Sequence, residues 1–366
     1  MAVYQSQEAR PVRWPRAVAS RGAILQALKA EIVGGGISPG GRLPTRAKLR
    51  RRFDTTPVTI QRAFDELSQE GFIVARGRQG TFVNPRPPHL TNYALVFPYR
   101  DTPEHPWSNF WRALVHEAGV AFRRNGHRLF FSYGNETHQD LDDYAKLQAD
   151  VRAHRLAGLI FASPPVYLKG SPVLETPGVP RVAIMRAPGM KGVAAVHLSP
   201  RLTAMALDRL EACGRRRVAV VARPEQVAGA QAVLAERGLE TPPYWVHAIN
   251  PLTPEGARNI VHLLMSGSPR CRPDGLVILD DNLTPHATAG VADAGVRVPR
   301  DLLAISHCNF PHPTPNAVPV VRLGYDVREV LRAGLELLEA QRRGKNAPGE
   351  AEAPVVEEQD VSMAGQ

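Results

Sequence analysis

The chain is predicted to be an α/β protein, with an N-terminal winged helix-turn-helix followed by a larger, two-lobed part built on parallel sheets. Three observations carry this reading. Residues 43–83 read as a short basic helix, a tight turn, a second amphipathic helix and a hairpin with an arginine-glycine tip. From Thr91 onward, short apolar runs alternate with helical stretches, as parallel strands covered by helices do. The positive charge is concentrated at the front. Residues 1–90 hold 15 Lys and Arg against 6 Asp and Glu, whereas residues 91–366 hold 30 against 29. Such a local excess attracts phosphate and leaves the rest of the chain neutral.

Residues 1–19 are rich in Pro and Arg without a period and are expected to form a flexible basic arm. The winged unit is expected over 20–84. Its first helix runs from about Ser20 to Gly34, with Ile24, Leu25, Leu28 and Ile32 as the apolar stripe. Thr45 is placed to cap a second helix, from which Leu49 and Phe53 point inward. Arg46, Lys48, Arg50, Arg51 and Arg52 cannot all be buried there and crowd its outer surface. Thr56 and Pro57 open the third helix, since proline suits a first helical position whose N–H has no partner. Ile60, Ala63, Phe64 and Leu67 form its inner stripe. Thr56, Thr59, Gln61 and Arg62 show on the other side. Gln reads adenine edges, Thr bonds phosphate or touches a thymine methyl, and Arg bonds guanine or phosphate. Arg76, Gly77, Arg78, Gln79 and Gly80 form the wing turn, where glycine allows close backbone approach. The candidate DNA-binding residues are Arg46, Lys48, Thr56, Pro57, Thr59, Gln61, Arg62, Arg76, Arg78, Gln79, Gly80 and Thr81.

Residues 85–91 are proline-rich, which favours an extended, semi-rigid linker and argues against a helix. The large part is expected over 92–343. Strands are expected near 93–97, 128–132, 156–161, 181–184, 217–221, 275–279 and 303–306. Helices are expected near 109–125, 140–154, 200–213, 227–237, 255–266, 285–294 and 327–343. About 250 residues of this pattern suit two similar lobes, with a ligand in the cleft at the carboxyl ends of the strands. Residues 344–366 are acidic, poor in large apolar groups and expected to be a loose tail, apart from a short strand near Val355-Val356.

Several classes of function are disfavoured. No apolar run approaches a membrane span, and residues 1–16 lack a secretory apolar region, so a cytoplasmic protein is expected. No Gly-rich phosphate loop, Gly-x-Ser-x-Gly elbow or zinc spacing occurs, so neither a cofactor, a metal nor a catalytic residue is expected. Cys308 lies in His307-Cys308-Asn309 with His312 nearby, but the sequence offers no matching ligand set elsewhere.

Residues 20–84 resemble the GntR family of winged-helix regulators. The likeness is carried by Leu43-Pro44, Leu49, Phe53, Val58-Thr59-Ile60, Ala63, Leu67, Glu70-Gly71 and Gly80-Thr81-Phe82-Val83. Three positions depart from that family: Ala47, Pro57 and Gln61 stand where arginines are usual, with Arg46, Lys48 and Arg62 one residue away. Residues 92–343 resemble the LacI/GalR effector domain, which has a periplasmic-binding-protein-like fold. That likeness rests on Phe110-Trp111, Asn125-Gly126, residues 156–160, residues 213–219, Arg272-Pro273-Asp274-Gly275 with Asp280-Asp281, and residues 295–302. The resemblance implies an effector pocket at Phe110, Trp111, Gln226, Asp280, Asp281 and Cys308, and a homodimer formed through the large domain. Gln226 and Cys308 replace the arginine and aspartate that normally grip sugar hydroxyls. Phe110 or Trp111 can equally be core packing, and Asp280 and Asp281 can equally cap the following helix.

Three functions remain open on the sequence. The first is a ligand-responsive, sequence-specific transcription regulator of carbohydrate or related catabolic genes, partnered by operator DNA and a small, sugar-like effector. The second is a DNA-binding regulator whose large domain is only a dimerisation scaffold. The third is a small-molecule carrier or enzyme with a basic appendage.

Overall fold

The computed structural model describes residues 19–134, 141–185, 190–344 and 348–360. The expected basic arm therefore lies outside the described residues, apart from Ala19. The chain divides into two compact units, one up to Thr91 and one from Asn92 onward.

In the first unit each helix begins where a side chain can accept an otherwise unpaired backbone N–H. Helix α1 (Arg21–Val33) is capped by Ser20, whose hydroxyl accepts from the Ala23 N–H at 3.2 Å. Helix α2 (Arg46–Phe53) is capped by Thr45, and α3 (Pro57–Gln69) by Thr56, with Pro57 in its first turn. The apolar stripes of the three helices meet in one core with Phe72, Ile73 and Val83 of the wing. Leu49 at its centre is fully buried, while Phe53 packs at the edge. Lys29 is buried beside this core, where Glu70 neutralises it and its ammonium lies 5.3 Å from the Phe72 ring centroid. The wing pairs β1 (Ile73–Ala75) antiparallel with β2 (Thr81–Val83), setting Val74 opposite Phe82. Arg42 adds an isolated antiparallel bridge to Phe82.

The linker corrects the expectation of an extended strap. Pro88–Thr91 forms a helical turn, α4, and His89 stacks on Phe72 at 5.7 Å. Pro88 occupies the first helical position, the one place where its missing N–H costs nothing. Burial of Pro87, Pro88 and His89 holds the turn in place.

The second unit begins with β3 (Asn92–Phe97), α5 (Asn109–Arg124), β4 (Arg128–Tyr133), α6 (Leu141–Arg152), β5 (Gly158–Phe161), α7 (Pro172–Glu175), β6 (Arg181–Ile184) and β7 (Ala194–Leu198). The chain continues with α8 (Leu202–Ala212), β8 (Val218–Ala222), α9 (Pro224–Ala235), β9 (Val246–Ala248), α10 (Glu255–Met265), β10 (Gly275–Ile278), α11 (Thr284–Asp293), β11 (Leu303–Phe310) and β12 (Val321–Asp326). It ends with α12 (Val327–Arg343), β13 (Glu350–Ala353) and β14 (Val356–Glu357). Two sheets result, ordered β13-β7-β6-β5-β3-β4 and β14-β12-β11-β10-β8-β9. The described pairings are parallel except that β14 runs antiparallel to β12.

Each sheet is the core of one lobe, and the chain passes between lobes three times: after β7, after β12 and after β13. The return after β12 follows from composition. Val330, Leu331, Leu337 and Leu338 of α12 pack into the first-lobe core with Val182 and Val196. The terminal segment corrects the expectation of a loose tail, since β13 adds an edge to the first sheet, while β14 is the short strand expected near Val355-Val356 and adds an edge to the second. The acidic side chains of Glu350 and Glu352 alternate with Ala351 and Ala353, and Ala353 is buried. Backbone pairing rather than apolar bulk recruits this stretch, so composition alone conceals it.

Helices α10 and α11 pack so closely that a Cβ at Gly290 would lie 2.3 Å from the Arg258 carbonyl oxygen. Gly290→Ala is expected to cost about 1–3 kcal/mol in urea unfolding, with the circular dichroism of the native state preserved. An unchanged midpoint would show that the two helices separate freely.

Candidate DNA-reading face and ligand cleft

In the first unit α3 buries Ile60, Ala63, Phe64 and Leu67, which turns its first two turns outward. Thr56, Pro57, Gln61 and Arg62 are exposed, and Thr59 is half-buried. The Thr56 and Thr59 hydroxyls are hydrogen-bonded at 2.8 Å. Gln61 is held at both ends of its amide. Arg46 Nε donates to its Oε1 at 3.0 Å, and its Nε2 donates to Asp65 Oδ1 at 2.7 Å. The Arg46 guanidinium also lies 5.1 Å from the Phe64 ring centroid, so α2 and α3 jointly orient the exposed Gln61 amide. Lys48, Arg50, Arg51 and Arg52 are exposed on α2. Arg52 is partly neutralised by Glu31.

At the wing, Arg76, Arg78 and Gln79 are exposed, and Arg76 lies over the Phe82 ring at 4.8 Å. Gly80 has φ 112° and a Cβ there would meet the Arg42 guanidinium at 3.1 Å, so the tip requires glycine. Thr81 departs from the expected set: it is buried at the start of β2, because the Arg42–Leu43 segment covers it and the Leu43 N–H donates to its carbonyl at 2.9 Å. Arg42 lies beside the wing tip, and its isolated bridge leaves no periodic signal in the sequence.

In the second unit a cavity of ≈ 830 Å³ opens between the lobes. The first lobe supplies an aromatic wall. Trp107 stacks on Phe97 at 4.2 Å and meets Trp111 edge-on at 5.9 Å, with Tyr99 5.3 Å from Trp111. The indole N–H of Trp111 donates to the Ala162 carbonyl at 3.1 Å, and that of Trp107 to Tyr99 at 3.0 Å. With those donors satisfied, the rings present faces and edges rather than polar atoms. Phe110 and Trp111 both line the cavity and both pack on the first-lobe core, so each has the two roles that the sequence sets as alternatives.

The second lobe supplies the polar wall, at the carboxyl ends of β10 and β11. Asp280 accepts from the Asn282 backbone N–H at 2.8 Å and faces Arg223 Nε at 3.0 Å. Neither Asp280 nor Asp281 caps α11, whose cap position is Leu283. Asp281 is only 1% exposed and accepts from Asn309 Nδ2 at 2.8 Å. Burial raises its pKa to about 7, and the neighbouring Asp280 charge adds to the rise, against bonds from Asn309 and Asn109. Burial likewise lowers His307 to about 4, with Asp280 opposing and Arg223 assisting that shift. The pair at His307 Nδ1 and Asp281 Oδ1, 3.8 Å apart, is therefore largely neutral rather than ionic. Both His307 ring nitrogens and Asn309 Oδ1 are buried without a hydrogen-bond partner and belong to cavity-lining residues. Orphaned polar atoms of this kind call for a ligand or water.

Two expected pocket residues behave differently. Gln226 lines the cavity but is committed to backbone, accepting from the Arg223 N–H at 2.9 Å and donating to the Leu279 carbonyl at 3.1 Å. Cys308 does not line the cavity, because side chains alternate along β11 and its neighbours His307 and Asn309 take the cleft face. Its thiol is pushed up to about 12, chiefly by burial. Reading the strand with period two would have selected His307 and Asn309. The lobes also touch directly, through the Asn109 N–H donating to Asn282 Oδ1 at 3.0 Å.

Comparison with known proteins agrees with this geometry. Residues 21–83 match the profile of bacterial regulatory proteins of the gntR family, and residues 207–358 that of the periplasmic binding protein-like domain. The chain joins a gntR-type helix-turn-helix head to a periplasmic-binding-protein-like body. It is 22% identical over 360 residues to an arabinose metabolism transcriptional repressor of Halalkalibacterium halodurans, covering 89% of this chain and 91% of that protein. A LacI family regulator from Chloroflexus aggregans shares the fold at TM-score 0.54 and 21% identity, over 72% of this chain and 96% of that one. A Lactobacillus casei LacI family regulator with bound glucose gives 0.53 at 19% identity, over 73% and 98%. A transcriptional regulator in complex with cellobiose gives 0.52 at 17% identity, over 82% and 90%. These likenesses establish the body's fold.

The fold favours Asp281 as the neutral acid. Stability from this group is full below its ordinary value near about 4 and falls as pH rises toward 7. His307 acts in the opposite limb, with stability lost as pH falls toward about 4. Asp281→Asn is expected to abolish this decline between about pH 4 and 7 and to melt above the parent protein at neutral and higher pH, leaving the opposing His307 contribution in place. A thermal melt series across pH checks this, and an unchanged profile between about pH 4 and 7 would assign the decline elsewhere.

Proposed function

We propose that the chain is a sequence-specific operator-binding transcription regulator whose DNA affinity is set by a carbohydrate held in the interlobe cleft. The observation that carries the reading is the make-up of that cleft. Aromatic faces stand on one side, and on the other a neutral carboxyl, a carboxylate, an asparagine and an imidazole with unpaired atoms. Aromatic faces suit the apolar faces of sugar rings. A carboxyl that titrates near 7 both donates and accepts, which matches hydroxyl groups. Arg223, opposite Asp280, takes over the charge-assisted contact for which Gln226 is unsuited. The sugars named with the related proteins, arabinose, glucose and cellobiose, define the first class to test.

On the head, Gln61, Arg62, Thr56 and Thr59 read base edges and phosphates, while Arg46, Lys48, Arg76, Arg78 and Gln79 contact the backbone. The chain acts as a homodimer on two half-sites, in the cytoplasm where chromosomal DNA lies. A ligand that binds the closed lobes better than the open ones shifts the population of closed chains and with it operator affinity. In this reading the cleft binds rather than reacts, and Cys308 lies outside it. The reading of the body as a scaffold alone fits Gln226, but leaves the orphaned atoms of His307 and Asn309 without a purpose.

Titration of the protein with DNA from upstream of its own gene, at several salt concentrations, tests the head. The expected slope of log affinity on log salt is about −0.9 per phosphate contact. Gln61→Ala is expected to cost about 1–3 kcal/mol of discrimination at one base pair, with little change on random DNA. A flat salt response, or equal loss on both DNAs, would contradict the assigned face.

A further inference from the structure

Among the described residues, His116, Glu117 and His312 bring their ligand atoms within 4.8 Å of one another. His116 and Glu117 are neighbours on α5, whose Ala113, Leu114, Ala118 and Phe122 are set in the first-lobe core. His312 follows β11 of the second lobe, in a turn closed by its own N–H donating to the Asn309 carbonyl at 2.8 Å. Its Nε2 lies 2.8 Å from Glu117 Oε1, and its ring meets that of His116 edge to face at 4.9 Å. The partners are 195 residues apart in sequence, which is why His312 stands alone when the sequence is read for ligand spacing.

We propose that His116, Glu117 and His312 form a site for a divalent transition metal of the zinc class, tying a first-lobe helix to a second-lobe strand end. Two imidazoles and one carboxylate, with a fourth position open to water, is a ligand set that zinc accepts. Imidazole also suits nickel and copper, whereas magnesium and calcium prefer oxygen alone. Tetrahedral coordination sets donors about 3.3 Å apart. The exposed side chain of His116 has room to close the remaining gap. Glu117 already faces His312, so the ion replaces the proton they share. Arg328 is close enough to feel the Glu117 charge, but Asp326 holds it through contacts at 2.6 and 2.9 Å. Because the ligands come from both lobes, occupancy favours the lobe arrangement in which they meet.

The test uses the full chain after chelator dialysis, and needs neither DNA nor sugar, so it stands apart from the regulatory reading. Zinc chloride is titrated in competition with a chromophoric chelator, and cobalt binding is followed by visible absorption. One ion per chain is expected. Affinity should fall about tenfold or more in His312→Ala and in His116→Ala, and the intense bands of tetrahedral cobalt should disappear. Glu117→Gln keeps the side-chain shape and is expected to weaken binding similarly, which guards against variants that misfold. Binding that is absent in the parent chain, or equal in the parent and all three variants, would overturn the site.

Discussion

The body depends on how it accommodates two adjacent carboxyl groups, Asp280 and Asp281, at the carboxyl end of β10. Two like charges cannot both be desolvated cheaply. The fold resolves the conflict by giving each a different environment. Asp280 faces Arg223 Nε at 3.0 Å, and Asp281, buried beside Asn309 and His307, is pushed up to about 7. The result is a wall of mixed donors and acceptors in which both His307 ring nitrogens and Asn309 Oδ1 still lack partners. The aromatic wall opposite adds area without polar demand, because its indole N–H groups are already bonded to backbone.

The two walls belong to different lobes, and few polar contacts described across the cleft are direct. The Asn109–Asn282 bond links them near the cavity, and the His312–Glu117 contact links them at α5. A ligand bonded to both walls would add to a small number of existing ties and so favour the arrangement in which both walls meet it. That is the condition for a useful population shift. The head relies on a different economy of contacts. The Arg46–Gln61–Asp65 chain fixes an exposed amide on α3, and in the proposed role of the head that lowers the ordering cost of DNA recognition.

Much of this was readable in the sequence. Ser20, Thr45 and Thr56 announced the helix starts, and the stripes of α1, α3 and α12 announced the buried faces, because capping and periodicity are local. Runs such as Val218–Ala222 and Gly275–Ile278 declared themselves as strands by continuous apolar character. The short Ala194–Leu198 and the interrupted Val321–Asp326 did not, since their place is set by neighbouring strands. The acidic β13 was hidden for the same reason. In the site, Phe110, Trp111, Asp280 and Asp281 reached the cleft as expected. Cys308 did not, because one step along a strand reverses the face. Trp107, Arg223 and the His116–His312 proximity depend on long-range folding that no spacing reveals.

The central claim is that the cleft and the reading head are thermodynamically linked, and reciprocity tests it most directly. Operator affinity should be measured with and without saturating arabinose, glucose or cellobiose, and the affinity for each sugar with and without operator. The account predicts that at least one sugar changes operator affinity by about 5- to 150-fold, and that operator changes the affinity for that sugar by the same factor. Sugars that bind the cleft while leaving operator affinity untouched would contradict it.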